Sequence, residues 1–478
     1  MVRFGVNILG VKTSKFRHAL GELGGKEHKF TNIRNVNTGV SIEGSGFGVS
    51  DNWAAVSIAG PQGLVVILDL MKPDKLPDGV LVGIENGASV CDVQWSPHDP
   101  NHLAVGCLDG RINFWNIPSE GVISSIREPN FTIQAHSDKV SILRYHPLAA
   151  DVLLSISAYG DAKIFDTRSG SNEPKISLDV EHQQILSAAW SANGEQVAII
   201  TKDGLLRIYE PRRNVNPIRA AKVLDVVRGA RVLFIMRDRC LLVSCFGPSC
   251  GRMLKMICAD TLDEIRSTTI DANPQLLIPH YDYDTSVLFA TGKGDRTVYL
   301  NELIAEEPYF LPLANFTSAS GHQAFTFMHR NQCNIAKVEF ARAYRFTTSE
   351  VELVSFKVPR KKLDLFQNDL FPPSYVSWKP LISASQWFSG AECLPQFLDM
   401  RPTGMELLYP DLQNGIPSVS SIVTATKPKE PNQTNVVEQK SSAQESPALK
   451  TRMHTTTTTT SLSDPKNEIT AKEITSES

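Results

Sequence analysis

A pair of aromatic residues about twenty positions apart recurs along this chain, and the pair itself recurs every 45 to 50 residues. The clearest copy runs from Val93-Gln94-Trp95-Ser96-Pro97 to Asp109-Gly110-Arg111-Ile112-Asn113-Phe114-Trp115-Asn116. A second runs from Arg144-Tyr145-His146-Pro147 to Lys163-Ile164-Phe165-Asp166. A third runs from Ala189-Trp190-Ser191-Ala192 to Asp203-Gly204-Leu205-Leu206-Arg207-Ile208-Tyr209-Glu210. The aromatics in the three copies lie 20, 20 and 19 residues apart. A period of this length, with apolar alternation and tight polar turns inside it, predicts one small antiparallel sheet per copy. Such a unit cannot bury both faces alone, so copies must stack, and stacking around an axis gives a propeller.

The turn chemistry agrees. Asp109-Gly110 and Asp203-Gly204 read as hairpin turns in which glycine supplies the positive φ. The aspartate six residues before Trp115, and again before Tyr209, accepts hydrogen bonds from its turn. Phe165 lacks that partner, because Tyr159 stands in the equivalent place and Asp161 two residues later. Ile112 and Phe114, with Leu103 and Val105 on the facing strand, are expected between blades. Gly294-Asp295-Arg296-Thr297-Val298-Tyr299-Leu300-Asn301-Glu302 repeats the element, two periods after Tyr209. A degenerate blade must lie between, around Arg231–Asp260. The count is seven WD40-type blades between about Asn32 and Pro359, with an N-terminal strand around Ser14–Leu20 closing the ring against a last blade at Asn334–Val358. Closure removes exposed sheet edges.

Three regions follow: a propeller over 1–359, an extension over 360–410 and a tail over 411–478. The extension carries Phe366, Phe371, Trp378, Trp387, Phe388 and Phe397. It is too apolar for a solvated linker and too short to fold alone, so it is expected to pack on one propeller face. The tail is rich in Ser, Thr, Pro, Lys, Glu and Gln, lacks aromatics and heptads, and contains Thr455–Thr460; it reads as disordered. The fold class is therefore all-β, a seven-bladed propeller with a packed C-terminal extension and a disordered tail.

Composition narrows function. A formal charge of −3 gives no global field for nucleic acid. Eight cysteines are scattered without a Cys-x-x-Cys pair, and Cys245 and Cys250 have no matching second pair, so the expectation is buried free thiols without zinc. No apolar run approaches the ~20 residues of a membrane span, and the apolar N-terminus is too short for a signal peptide. Gly292-Lys293-Gly294-Asp295 lacks the first glycine of a phosphate loop and leads into a strand. No hydrolase or zincin motif occurs. His136 reads as a hydrogen-bonded turn residue. The expectation is no catalytic residue, no metal and no cofactor.

Particular segments resemble the coronin family. Ser14-Lys15-Phe16-Arg17-His18 is similar to the coronin opening. Tyr281-Asp282-Tyr283-Asp284-Thr285-Ser286-Val287, leading to Gly292-Lys293-Gly294-Asp295, resembles the coronin sixth blade. Val358-Pro359-Arg360-Lys361 and Asp364-Leu365-Phe366-Gln367-Asn368-Asp369-Leu370-Phe371-Pro372 resemble the segment leaving the propeller. Gln386-Trp387-Phe388-Ser389-Gly390 looks like the Trp-Phe-x-Gly of the coronin extension. The likeness covers residues 14–400. It departs at the tail, where neither the trimerising coiled coil of short coronins nor the acidic tryptophan-bearing tail of tandem ones is found. A single propeller of this kind is similar to the N-terminal half of a tandem coronin, or to a short isoform of one, and is expected to be a monomer.

The resemblance implies a non-catalytic platform that binds filamentous actin and regulates the cytoskeleton, in polarity, motility or membrane trafficking. Its partners would include the actin-nucleation or trafficking machinery. Its location would be the cytoplasm and cell cortex, or the periphery of Golgi and vesicle membranes. The alternative is an adaptor propeller in trafficking or ubiquitin-type complexes without direct actin binding. Arg34 follows Ile33 where coronins carry an Ile-Arg pair associated with filament contact, although Asn37 replaces the second arginine. Lys12, Lys15 and Arg17 form a basic stripe in which alternation buries Phe16 and exposes the charges. Weaker basic candidates are Arg212 and Arg213 after the fourth blade and Arg360 and Lys361 at the exit, which by themselves read as solvated turns.

Overall fold

Alternation of buried residues along short strands makes each repeat a sheet with two apolar faces, and the faces stack. The computed structural model describes residues 12–40 and 43–412, and the backbone of residues 5–6. The tail read as disordered lies outside these residues from 413 onward. The architecture is all-β, a seven-bladed propeller. Blade 1 comprises Phe47–Val49, Trp53–Ser57, Leu64–Asp69 and Ile84–Glu85. Blade 2 comprises Val90–Trp95, His102–Cys107, Arg111–Asn116 and Phe131–Gln134. Blade 3 comprises Val140–Tyr145, Val152–Ser157, Ala162–Asp166 and Ile176–Leu178. Blade 4 comprises Ile185–Trp190, Val197–Thr201, Leu205–Tyr209 and Arg219–Lys222. All are antiparallel sheets with strands in chain order.

The degenerate blade is regular in structure and longer than its sequence suggests. Blade 5 comprises Val226–Ile235, Cys240–Phe246, Arg252–Cys258 and Glu264–Asp271. Blade 6 comprises Leu277–Tyr281, Val287–Gly292, Thr297–Leu303 and Phe310–Pro312, with Phe316–Thr317 also paired to its third strand. Blade 7 takes Ala324–Phe327, Glu339–Phe346 and Val351–Lys357 from the C-terminal side and Leu20–Leu23 from the N-terminal side. Leu20 lies opposite Lys357 and Leu23 opposite Val354. The strand placed at Ser14–Leu20 by sequence thus lies further on. Residues 14–19 form turns instead, because the Ser14 side chain accepts from Phe16 N (2.9 Å) and Phe16 O accepts from Ala19 N (2.8 Å). Phe16 is buried as expected and packs on Phe340 at 5.0 Å, but through a turn rather than strand alternation.

Blade stacking follows the two faces of each strand. Trp115 pairs across the sheet with Leu103, and Phe114 with Ala104. Trp115, Leu103 and Val105 meet Trp53 and Val65 of blade 1, whereas Phe114 and Ile112 meet Leu143 and Tyr145 of blade 3. Burying one such side chain contributes about 1.5–3 kcal/mol. Gly110 and Gly204 sit at φ +83° and +86°, and a Cβ on Gly110 would lie 2.2 Å from His136 O. The first strands of the blades surround a central cavity of about 750 Å³.

The extension crosses the turns between first and second strands of blades 3 to 6. Phe366, Leu370 and Phe371 join the core of blades 6 and 7. Tyr375 N donates to Asp284 of blade 6 (2.8 Å), and Tyr375 OH donates to Ala192 O of blade 4 (2.6 Å). Arg237 of blade 5 lies over Phe397 at 5.3 Å. Ala150 N of blade 3 donates to Ile382 O (2.9 Å). The chain then enters a short helix, Ala384–Phe388, started by a Ser383/Gln386 capping box. This helix inserts Trp387, 2% exposed, edge-on to His146 (5.1 Å) and Trp190 (5.8 Å). Phe388 is only half-buried.

Candidate functional site

Arg34 stands on a hook built by local backbone chemistry. Asn32 and Asn35 on either side adopt positive φ, 64° and 52°, which asparagine tolerates better than most residues. Ile33 between them is buried. The Asn32 amide donates to Leu76 O (2.7 Å) and Asp78 Oδ1 (2.9 Å). The Arg34 guanidinium then spans the neighbouring loop of blade 1, donating to Pro77 O (2.7 Å), Asp78 O (2.6 Å) and Gly79 O (2.6 Å). Its partners are carbonyls, and among the described residues it has no ion-pair partner within 4 Å. The loop it grips is exposed, with Lys75 and Asp78 paired at 3.5 Å and Met71 and Val80 pointing outward. The result is a positive charge fixed in orientation and not cancelled by a bound carboxylate.

The other basic candidates are placed differently. Lys12 is tied to blade 6, with Nζ on Glu306 Oε2 (2.6 Å) and Glu307 O (3.1 Å). Lys15 is half-buried, not exposed as alternation implied, and its Nζ donates to Asp369 O of the extension. Burial lowers its pKa, opposed by Asp369 and Glu302. Arg360 donates to the same Asp369 through its carboxylate (2.8 Å), so Lys15 and Arg360 form one seam between N-terminus and extension. Arg17 is exposed and its Nη1 donates to Ser14 O (3.2 Å). Lys361 is exposed. Among the described residues no hydrogen bond or ion pair joins Arg34 to any of these groups.

Arg212 corrects the reading of a solvated turn. It lies over the Trp387 ring at 5.4 Å and donates to Trp387 O (3.3 Å) and Ala391 O (2.7 Å). It clamps the extension, which a sequence separation of 175 residues conceals. Arg213 beside it is exposed, with Glu210 at 3.1 Å.

Two constellations escaped the sequence reading. His136 Nε2 lies 2.9 Å from Ser155 Oγ and its Nδ1 3.8 Å from Asp161 Oδ2, which imitates a hydrolytic triad. Ser155 is 0% exposed, however, and burial lowers the His136 pKa to about 4, so this group braces blade 3 and offers substrate no nucleophile. The second is ionic. Arg330 bonds Asp282, reaches Asp284 at 3.4 Å and donates to Phe340 O. Asp284 also receives the Ser374 hydroxyl and Tyr375 N of the extension. Burial, then the neighbouring Asp282, raises the Asp284 pKa to about 6. The Tyr-Asp-Tyr-Asp run carried the signal, but Arg330 lies 48 residues away.

The cysteines also differ from expectation. Cys91, Cys107 and Cys245 are buried, Cys250 is exposed and the other four are intermediate; all are free. Lys293 of the glycine-lysine turn donates to Thr38 O (2.7 Å). Among the described residues no helix is long and apolar enough to cross a membrane.

Known proteins resemble the chain throughout the region just described. A family described as a domain of unknown function (DUF1899) matches residues 10–75, which contain the opening turns and the Arg34 hook. The WD domain, G-beta repeat, matches 79–116, and a type of WD40 repeat matches 351–395. Mouse Coronin-7 is 38% identical over 395 residues, 82% of this chain and 43% of its own. The chain therefore spans less than half the length of that relative. Coronin-like protein crn1 of Schizosaccharomyces pombe is 30% identical over 399 residues, 82% of this chain and 64% of its own. The solved WD40 domain of Toxoplasma gondii coronin superposes with a TM-score of 0.73 at 23% identity, covering 81% of this chain and 98% of that domain.

Proposed function

The chain belongs to the coronin family, and from this premise we propose that its propeller binds actin filaments as a non-catalytic platform. The observation that carries the proposal is Arg34, whose guanidinium is locked by three carbonyls on an exposed loop and retains its charge. A prepaid orientation reduces the entropy lost on docking to an acidic surface. Arg17, exposed and unburdened by a carboxylate, is a secondary contact. Lys12 and Lys15 act in this reading as ties that hold the N-terminal segment. The protein acts as a monomer at the cell cortex, or as a peripheral protein on Golgi or vesicle membranes. It links filaments there to nucleation or trafficking machinery.

The test is co-sedimentation of the full chain with filamentous actin. Arg34→Gln keeps amide donors for the loop but removes the charge; Arg34→Asp reverses it. Reversal is expected to weaken binding by roughly tenfold, about 1.4 kcal/mol, with Arg34→Gln between it and wild type. Arg213→Asp serves as the exposed control and should leave pelleting nearly unchanged. Binding should weaken as salt rises, because the screening length falls from ~10 Å at 0.1 M to ~3 Å at 1 M. Unchanged binding by both Arg34 variants, with unchanged melting temperature, overturns the site. Failure of the wild-type chain to pellet at low salt overturns actin binding and leaves the adaptor alternative.

A further inference from the structure

Six lysine and arginine residues are buried among the described residues: Arg207, Arg231, Arg252, Lys255, Arg330 and Arg345. Five have a carboxylate within salt-bridge distance. Arg207 has Asp203 and Glu181 at 2.8 Å, and Arg252 has Asp295 at 2.7 Å together with Asp271. Lys255 has Glu264 at 3.1 Å, Arg330 has Asp282, and Arg345 has Glu352 at 2.6 Å. Arg231, 7% exposed, is the exception. Its hydrogen bonds among the described residues both leave Nη1, to Leu186 O (3.2 Å) and Ala230 O (3.4 Å). Nε and Nη2, with three N–H donors, have no protein partner among the described residues. Neither nitrogen is among the fully buried polar atoms that lack a partner, so this edge of the guanidinium opens toward the cavity, and its charge is balanced only through space by Glu43 and Asp92.

The location gives this open edge a use. Arg231 lines the central cavity of about 750 Å³. Arg144, from the first strand of blade 3, lines the same cavity. Its Nη1 donates to Leu143 O (2.6 Å) and stands 3.5 Å from Asp92 Oδ2. Asp92 is mostly occupied elsewhere, accepting from Ser45 N (2.7 Å), Leu143 N (2.8 Å) and Val93 N (3.1 Å). Lys293, Glu43, His280, Tyr281 and Tyr283 also line the cavity. Burial, then its neighbours His322 and Arg231, lowers the His280 pKa to about 4, so this imidazole is neutral at physiological pH. Burial and then the nearby Arg144 lower the Arg231 pKa to about 10, outweighing Glu43 and Asp92. Two guanidiniums therefore line one cavity, and the positive charge of Arg144 disfavours that of Arg231.

We propose that the central cavity is a binding site for a small phosphorylated anion, clamped between the free N–H face of Arg231 and the guanidinium of Arg144. A guanidinium fork matches phosphate oxygens in a bidentate manner, and desolvated walls strengthen the attraction. Trp95 of blade 2 and Trp190 of blade 4 also line the cavity, on either side of blade 3. The site is independent of the actin-binding reading, since it shares no residue with the Arg34 hook.

The test is thermal unfolding of the full chain with inorganic phosphate or pyrophosphate at constant ionic strength, with sodium chloride and acetate as matched controls. A saturable rise in melting temperature with the phosphates is expected, larger for pyrophosphate. Arg231→Met should abolish the rise. It should not lower the melting temperature without ligand, because it removes an unpaired buried charge while keeping apolar bulk. Arg144→Gln, read by calorimetric titration of pyrophosphate, should weaken binding at least tenfold and provides a second route should Arg231→Met fold poorly. The site is overturned by phosphates doing no more than chloride, or by either variant retaining wild-type binding. An equal rise with acetate overturns the phosphate assignment.

Discussion

Blades 2 and 3 and blades 4 to 7 hold their inner polar groups by different chemistry. In blades 2 and 3 the network is mostly neutral, with one charged pair, Arg144 on the buried Asp92. Trp115 Nε1 donates to Asn86 Oδ1 (2.9 Å), Asn113 donates to Asn86 O (3.1 Å), and His136 meets Ser155. From blade 4 onward, buried arginines take over: Arg207, Arg252, Arg330 and Arg345 each on carboxylates, with Arg231 of blade 5 the exception. Neutral pairs fail gently, because a lost partner leaves one modest desolvation cost. Ionic networks fail abruptly, because a lost partner leaves a buried charge. The extension uses both halves: it is anchored on the ionic Asp284 at one end and on the His146–Trp190 pocket at the other.

The largest effect should come from Arg330→Met. Asp282 and Asp284 would then face each other without their cation, at a cost of about 3–5 kcal/mol. Because Asp284 also receives Ser374 and Tyr375, limited proteolysis should gain cuts between Phe371 and Trp387. Denaturant unfolding checks the first part and peptide mapping the second. Adding Asp282→Asn and Asp284→Asn should recover much of the loss. Failure to recover would show that the arginine's packing, not its charge, was the contribution.

Acid should separate the two halves. Burial lowers His98 and His136 to about 4 and His146 to about 3, all in the loops and strands around blades 2 and 3. His280 and His322 are lowered to about 4 in the other half. For each, the unfolded chain binds the proton first, so stability present above pH 6.5 is lost as pH falls toward 4. The slope is at most about 1.4 kcal/mol per pH unit per histidine. Asp284 has the opposite sign: its raised pKa lets the folded state bind a proton first, so it adds stability between pH 6 and the ordinary carboxylate value. Hydrogen exchange at pH 5 should therefore show protection lost earlier in blades 2 and 3 than around Arg252, whose partner Asp271 has a lowered pKa. Uniform loss would refute the contrast.

Arg212→Met tests the neutral anchor of the extension. It removes hydrogen bonds from a charged donor and a cation over Trp387 while keeping apolar bulk, so a loss of about 1.5–3 kcal/mol is expected. Early cleavage near Trp387, rather than near Tyr375, would place the effect at that end.

The same contrast explains what the sequence made legible. The aromatic pairs and Asp-Gly turns of blades 2 to 4 are local signals, and the seven-blade count rests on them. The burial of Phe16 and of Trp387 follows from their size and apolarity. The closing strand was misplaced by several residues because Ser14 caps a turn that apolar alternation cannot reveal. Arg212, Lys15 and Arg330 were read as surface charges or not singled out, because their partners lie 175, 354 and 48 residues away. Arg34 was visible by resemblance, but its carbonyl-locked hook depends on two asparagines at positive φ.

The smallest effect should be Ser155→Ala. The substitution leaves His136 Nε2 without its hydroxyl inside blade 3. A neutral hydrogen bond contributes about 0.5–1.5 kcal/mol, and a single unpaired buried nitrogen adds a cost of the same order. The alanine fits the same strand position, since Ser155 is fully buried and the change only removes an atom. The expected loss is therefore about 1–2 kcal/mol, smaller than that of Arg330→Met, with unchanged actin pelleting. A loss as large as that of Arg330→Met would mean that blade 3 is as dependent on one buried polar contact as the ionic blades are, and the distinction between the two halves would fall.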